Sequence, residues 1–164
     1  MTNLPGHVPY ASPAYHYEQR LQDDSHLRTL AICHYIWGGI TALLALIPLV
    51  HVGIGIAMIN GVFDQSGSNP PPPEFGWFFV VFGVGAILLG ETIALLTIIS
   101  GVRMARRRGR VFSIVVAAIN CLSFPFGTLL GVFTIIVLCR DSVRRQYDEA
   151  AAARQAPPHP AWTR

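Results

Sequence analysis

Three stretches of this chain, Leu30 to Ile59, Trp77 to Val102 and Val111 to Cys139, hold one formal charge between them, the carboxyl of Glu91. Each is longer than the ~20 residues that carry a helix across a hydrocarbon core. A soluble fold could hide such segments only as buried helices, apolar on every side. The composition agrees: 52% of residues are hydrophobic and 13% charged, with a mean hydropathy of +0.45, outside the range of ordinary soluble domains. The chain is expected to be all-α and polytopic in a membrane.

Charge sets the orientation. All twelve basic residues are arginine. Arg103, Arg106, Arg107, Arg108 and Arg110 fall between the second and third apolar stretches, and Arg140, Arg144 and Arg145 follow the third. Positive residues that flank spans in this way mark the cytoplasmic side. The net charge of +3 therefore reads as topology and attraction to anionic lipid, not as nucleic-acid binding.

The third stretch fixes the number of crossings. Read as one helix it would be about 43 Å long with Pro125 near its middle, where proline removes a backbone hydrogen bond and clashes with the preceding turn. A turn at Pro125 and Gly127 doubles the chain back and leaves every arginine on one face. Each arm is then only about 21 Å long, short of a ~30 Å core, so a re-entrant hairpin is the close alternative. In the first stretch, Pro48, His51, Gly53 and Gly55 mark a kink, and Val50 to Asn60 reads as a kinked continuation or an interfacial helix. The expected architecture is four transmembrane helices, at about 28–49, 77–102, 109–124 and 127–142, the last two forming a short hairpin. Residues 61–76 form an outer loop, with Pro70 to Pro73 in extended polyproline II. Trp77 enters the bilayer as an aromatic belt residue. Residues 1–27, which lack the basic start and short apolar core of an export signal, read as a flexible cytoplasmic tail, and 143–164 as a second tail.

Polar residues at depth are the candidate functional groups. Glu91 lies twelve residues from Arg103 and Asn120 ten from Arg110, about 18 and 15 Å in from the same side. His34, six residues past Arg28, is shallower, at about 9 Å. A carboxylate at such depth costs several kcal/mol, so the expectation is a neutral Glu91 hydrogen-bonded to Asn120, or a charged one paired with His34. Small residues at four-residue spacing, among them Gly53 with Ala57, Ala86 with Gly90, Ser113 with Ala117 and Cys121, and Gly127 with Gly131, allow close helix packing. Cys33, Cys121 and Cys139 have no disulfide or metal spacing. His34 and His51 are too far apart along the helix to share a metal. No phosphate-binding glycine loop, nucleophile elbow or zinc motif occurs; neither catalysis nor a cofactor is expected.

On HLRTLAICHYIWGGI (26–40), PLVHVGIGIAM (48–58) and FPFGTLLGVFTIIVLCRDSV (124–143) the chain resembles a group of small bacterial inner-membrane proteins of uncharacterised role. They share an HLxxLxIxHY start and a PFGTxLGxxTIxVL end. The resemblance implies a bacterial inner-membrane setting and a hairpin centred on the PFG turn, and it supplies no catalytic residue. The expected role is structural or accessory, in association with the bilayer and with a second copy or a larger membrane complex. The alternative is a small oligomeric proton or ion conduit using Glu91.

Overall fold

The computed structural model describes residues 13–63 and 72–156. Among them all regular structure is helical, without strands: α1 Pro13–Leu44, α2 Leu49–Ile59, α3 Pro73–Ala105, α4 Arg110–Asn120, α5 Phe126–Leu138 and α6 Asp141–Gln155. Among them, two segments are long and apolar enough to cross a membrane, Tyr17–Ile59 and Glu74–Ala105. Helices α5 and α6, bent by 71° at their junction, pass the same test only when joined as a broken span.

The first of these long apolar segments is α1 continued through a short turn into α2, the kinked continuation expected around Pro48. Pro48 has no N–H to give, yet its carbonyl accepts from both His51 at 2.9 Å and Val52 at 3.2 Å. The helix direction is thus carried across the break. At the other end of the excursion, Pro72 has extended backbone (φ −59°, ψ 143°), and Pro73 opens α3. A proline is tolerated at that position because the first-turn N–H has no partner to lose. The polyproline expectation thus holds at Pro72, fails at Pro73, and for Pro70 and Pro71 lies outside the described residues, as does most of loop 61–76.

Helix α3 runs antiparallel to α1 and α2 along a seam of small residues. Gly76 meets Gly55 and Ile59, Gly83 meets Pro48 and Val52, Gly90 meets Ala45, Gly38 meets Ala94 and Ile98, and Gly101 meets Ala31 and His34. A methyl group added at Gly55 would stand 2.6 Å from the Gly76 carbonyl oxygen, and one at Gly83 would stand 3.0 Å from that of Pro48. Backbones this close gain dispersion contacts, which replace the hydrophobic drive that lipid cannot supply. The spacing is seven, not four: Gly76, Gly83 and Gly90 face Ile59, Val52 and Ala45 in order, the period of a left-handed coiled-coil seam.

Helices α4 and α5 form the hairpin, but both are shorter than expected. Their 11 residues and 13 residues make rods of about 16 and 20 Å, so the expected bounds 109–124 and 127–142 narrow to 110–120 and 126–138, and neither rod alone reaches the length of a ~30 Å core. Gly127 is likewise not a turn residue. It lies in the first turn of α5, pressed on the Asn120 carbonyl and near Trp37, while Pro125 precedes the helix as its cap. Thr128 Oγ1 donates to the Cys121 carbonyl at 2.7 Å and closes the turn. At the tip Leu122 is 85% exposed and Phe124 88%, which in water would be a costly display of apolar surface.

The distribution of side chains is inverted relative to a soluble protein. His34, Thr97, Ser100, Ser113, Asn120 and Thr134 are buried, while Leu43, Val81, Leu88, Leu89, Leu129 and Phe133 face outward. Water would reverse that arrangement; lipid permits it.

At the arginine-bearing end the chain is folded well beyond the apolar segments. Residues 13–27, expected as part of a flexible tail, are the opening turns of α1. There α1 packs with α6 around a core of Leu27, Leu30, Met104, Val137, Leu138, Val143 and Tyr147. Arg20 pairs with Glu149 at 2.9 Å, Arg107 with Asp24, and Arg140 with the buried Asp23 at 3.7 Å. The C-terminus of α3 explains one of these pairs. Arg108 N–H bonds the Arg103 carbonyl at 2.8 Å and Arg107 N–H that of Met104 at 3.0 Å, the double closure that normally ends on glycine. Here Arg107 itself takes the left-handed conformation, with φ 48°, and the turn directs its guanidinium to Asp24.

Candidate functional site

The three polar residues expected to meet inside the membrane do not meet. His34 is fully buried on α1, and its Nδ1 lies 2.9 Å from the Leu30 carbonyl, to which it donates. That choice leaves Nε2, buried and without a partner among the described residues, as the acceptor. His34 packs against Gly101 of α3, close to the arginine end.

Asn120, at the end of α4, faces Thr97 of α3. The Thr97 hydroxyl lies 2.8 Å from the Ile93 carbonyl and 3.2 Å from Asn120 Oδ1. A hydroxyl has one proton. Both neighbours are acceptors, so Thr97 divides that proton between its own helix and Asn120 Oδ1, while Asn120 Nδ2 is buried without a partner among the described residues.

These two residues belong to a larger set. His34 on α1, Thr97 and Ser100 on α3, Ser113 and Asn120 on α4 and Thr134 on α5 are each 1% exposed or less. Thr134 turns back on the Leu130 carbonyl at 2.7 Å, whereas Ser100 Oγ and Ser113 Oγ have no partner among the described residues. The interior of the arginine-side half is therefore lined by hydroxyl, amide and imidazole groups with spare hydrogen-bonding capacity. Such a lining locks helices together in lipid and has room in its valences for water. Spacing of small residues in the sequence picked out Ser113, but Thr97, Ser100 and Thr134 gave no signal apart from being hydroxyls at helical intervals.

Glu91 stands apart. It is half-buried on α3, next to the Gly90–Ala45 contact, and among the described residues it makes no hydrogen bond or ion pair. Six residues separate it from Thr97, about 9 Å along the axis and on a different face. The expected pairing of Glu91 with Asn120 or His34 is corrected on this geometry: Asn120 is held by Thr97, and His34 by its own helix.

Of the packing residues, Gly90, Gly127 and Gly131 are at close contacts: a methyl group at Gly131 would strike the Ala117 carbonyl and Cys121. Ala86 is half-buried. His51 is stacked on Phe79, ring centroids 6.0 Å apart, and edge-on to Phe82, so it pins α2 to α3. Cys33 and Cys121 are half-buried and Cys139 is exposed.

A second polar group lies outside the membrane segments, between α1, α6 and the arginine loop. Asp23, Gln146 and Tyr147 are buried there, and neither amide atom of Gln146 has a partner among the described residues. Burial pushes the Tyr147 phenol up to about 12, against the opposing pull of Arg107 and Arg110. Arg110 Nε donates to the Leu138 carbonyl at 2.7 Å and ties the start of α4 to the end of α5. Compared with known protein families, curated proteins and solved structures, the chain matches none.

Proposed function

We propose that the chain is a structural or accessory protein of the bacterial inner membrane. Two helices cross the bilayer, the α4–α5 hairpin enters from the cytoplasmic side and returns, and α3 associates through Glu91 with a second copy or with a larger membrane complex. The observation that carries this reading is the isolation of Glu91. It lies about 18 Å from Arg103 along α3, near mid-bilayer, where an unpartnered carboxyl costs roughly 3 kcal/mol even on the lowest scale. No group of the described chain offsets that cost, so a group from outside it is called for.

The cytoplasmic placement draws on charge. The arginines flank the spans on one side, and the Arg20–Glu149 pair holds the start of α1 beside α6 on that same side. The half-depth hairpin draws on length and on its apolar tip, which suits hydrocarbon better than an aqueous surface. The resemblance in the HLxxLxIxHY and PFG segments supports the bacterial setting.

Association is tested by replacing Glu91 with glutamine or leucine and weighing the protein by native mass spectrometry from mild detergent. Glu91→Gln retains hydrogen bonding and is expected to keep the oligomer or complex. Glu91→Leu is expected to dissociate it by about tenfold or more, the loss of roughly 1–2 kcal/mol per intramembrane hydrogen-bonded contact. Assembly unchanged in both variants contradicts the reading. A proton flux in reconstituted vesicles that Glu91→Gln abolishes would replace it with the conduit alternative.

A further inference from the structure

The arginines between α3 and α4 are not equivalent, and the difference defines a binding site. Arg107 turns inward to Asp24, and Arg110 is bonded to the Leu138 carbonyl. The other three turn outward. Arg103 is fixed with its guanidinium 4.4 Å from the centre of the Phe112 ring, while Arg106 and Arg108 are exposed and make no hydrogen bond or ion pair among the described residues. With Ile99 and Val102 these three arginines enclose a cavity of about 400 Å³.

Residues 99, 102, 103 and 106 stand at i, i+3, i+4 and i+7, so they form a single stripe along the last turns of α3. Its lower part is apolar and continuous with the membrane-facing surface of that helix, and its upper part is guanidinium. The negative end of the α3 dipole would repel an anion here. The last carbonyls of the helix are, however, already occupied by the N–H groups of residues 106, 107 and 108, and three guanidinium charges outweigh the half charge of the dipole.

We infer that this cavity binds the headgroup phosphate of an anionic phospholipid, with Arg106 and Arg108 as its principal donors, Arg103 as a fixed third, and the acyl chains descending past Ile99 and Val102. A phosphodiester matches the planar donor fork of arginine, and the apolar floor distinguishes a lipid from a free anion. The inference rests on the membrane placement of α3 and is independent of the role given to Glu91.

The test uses the full chain purified in mild detergent and titrated with phosphatidylglycerol or phosphatidylcholine, with bound lipid counted by native mass spectrometry. Two double variants are compared. Arg106→Gln with Arg108→Gln empties the site, and Arg144→Gln with Arg145→Gln removes the same charge from exposed positions on α6. The wild type is expected to hold phosphatidylglycerol about tenfold more tightly than phosphatidylcholine, and the first pair to abolish that preference while the second leaves it in place. Equal loss from both pairs would mean diffuse charge and overturn the site, as would no loss from either. Inorganic phosphate is the third arm. Displacement of the lipid by millimolar phosphate would show a free-anion site and overturn the lipid assignment, whereas failure to displace it supports the apolar floor. Unchanged melting of the first pair separates lost binding from lost folding.

Discussion

Replacing Gly83 with leucine is expected to separate α3 from the first crossing and to reduce stability by about 1–3 kcal/mol or more, while the same change two residues on, at Gly85, is harmless. A Cβ at Gly83 meets the Pro48 carbonyl at 3.0 Å and Val52 N at 3.2 Å, whereas one at Gly85 meets nothing within 4 Å. Backbone cannot step aside as a side chain can, so the helices must part. The outer end of the seam repeats the contrast. Gly55→Leu drives into the Gly76 carbonyl, and Gly53→Leu points into open space. At the two permissive sites leucine gains helix propensity over glycine, about 0.5–1 kcal/mol. Thermal melts in one detergent measure all four variants. Equal destabilisation at Gly83 and Gly85 would mean that the seam is not where α3 packs.

Val143→Asp is expected to detach α6. Val143 is fully buried, 0% exposed, among Leu27, Leu30, Met104 and Tyr147. A carboxylate there is removed from water without a partner, a cost on the order of 3 kcal/mol or more. Nearby ion pairs cannot compensate, because Arg20–Glu149 and Arg107–Asp24 are half exposed and pairs of that kind contribute about 1 kcal/mol at most. The helix would be released at the 71° junction with α5 while the membrane segments remain folded. Limited proteolysis reads this directly: cleavage within residues 141–155 accelerates in the variant and is slow in the wild type. Equal cleavage would mean that α6 is not docked.

The parts of the fold that depend on apolar length were legible in the sequence. The two long apolar segments, the kink near Pro48 and the doubling-back at Pro125 all follow from where a helix can continue and where it cannot. Rotation about the helix axis was not legible, and it undid the reading of Glu91. Depth counted from Arg103 and from Arg110 made Glu91 and Asn120 level, but α3 continues past Arg103 to Ala105 and ends on Arg107. The two counts therefore start from different heights, and Asn120 meets Thr97 instead. The small-residue seam was readable as a period of seven, yet spacing of four drew attention to pairs such as Gly53 with Ala57, where Gly53 is open. The opening turns of α1 carried a signal as well. Asp23, Leu27, Leu30, Ala31 and His34 are buried in succession at helical steps, a stripe that begins well before the first apolar run and was hidden by the charged residues around it.

Labelling of the hairpin tip tests the proposed architecture most directly. In a cysteine-free background, Phe124→Cys and Asn60→Cys are exposed in intact cells to a membrane-impermeant maleimide. Asn60 ends the first proposed crossing at the outer face, and Phe124, 88% exposed, stands at the tip of a hairpin no deeper than about 20 Å. The expected result is labelling at position 60 and none at position 124. Equal labelling at both would mean that the hairpin reaches the outer surface and that the chain crosses four times.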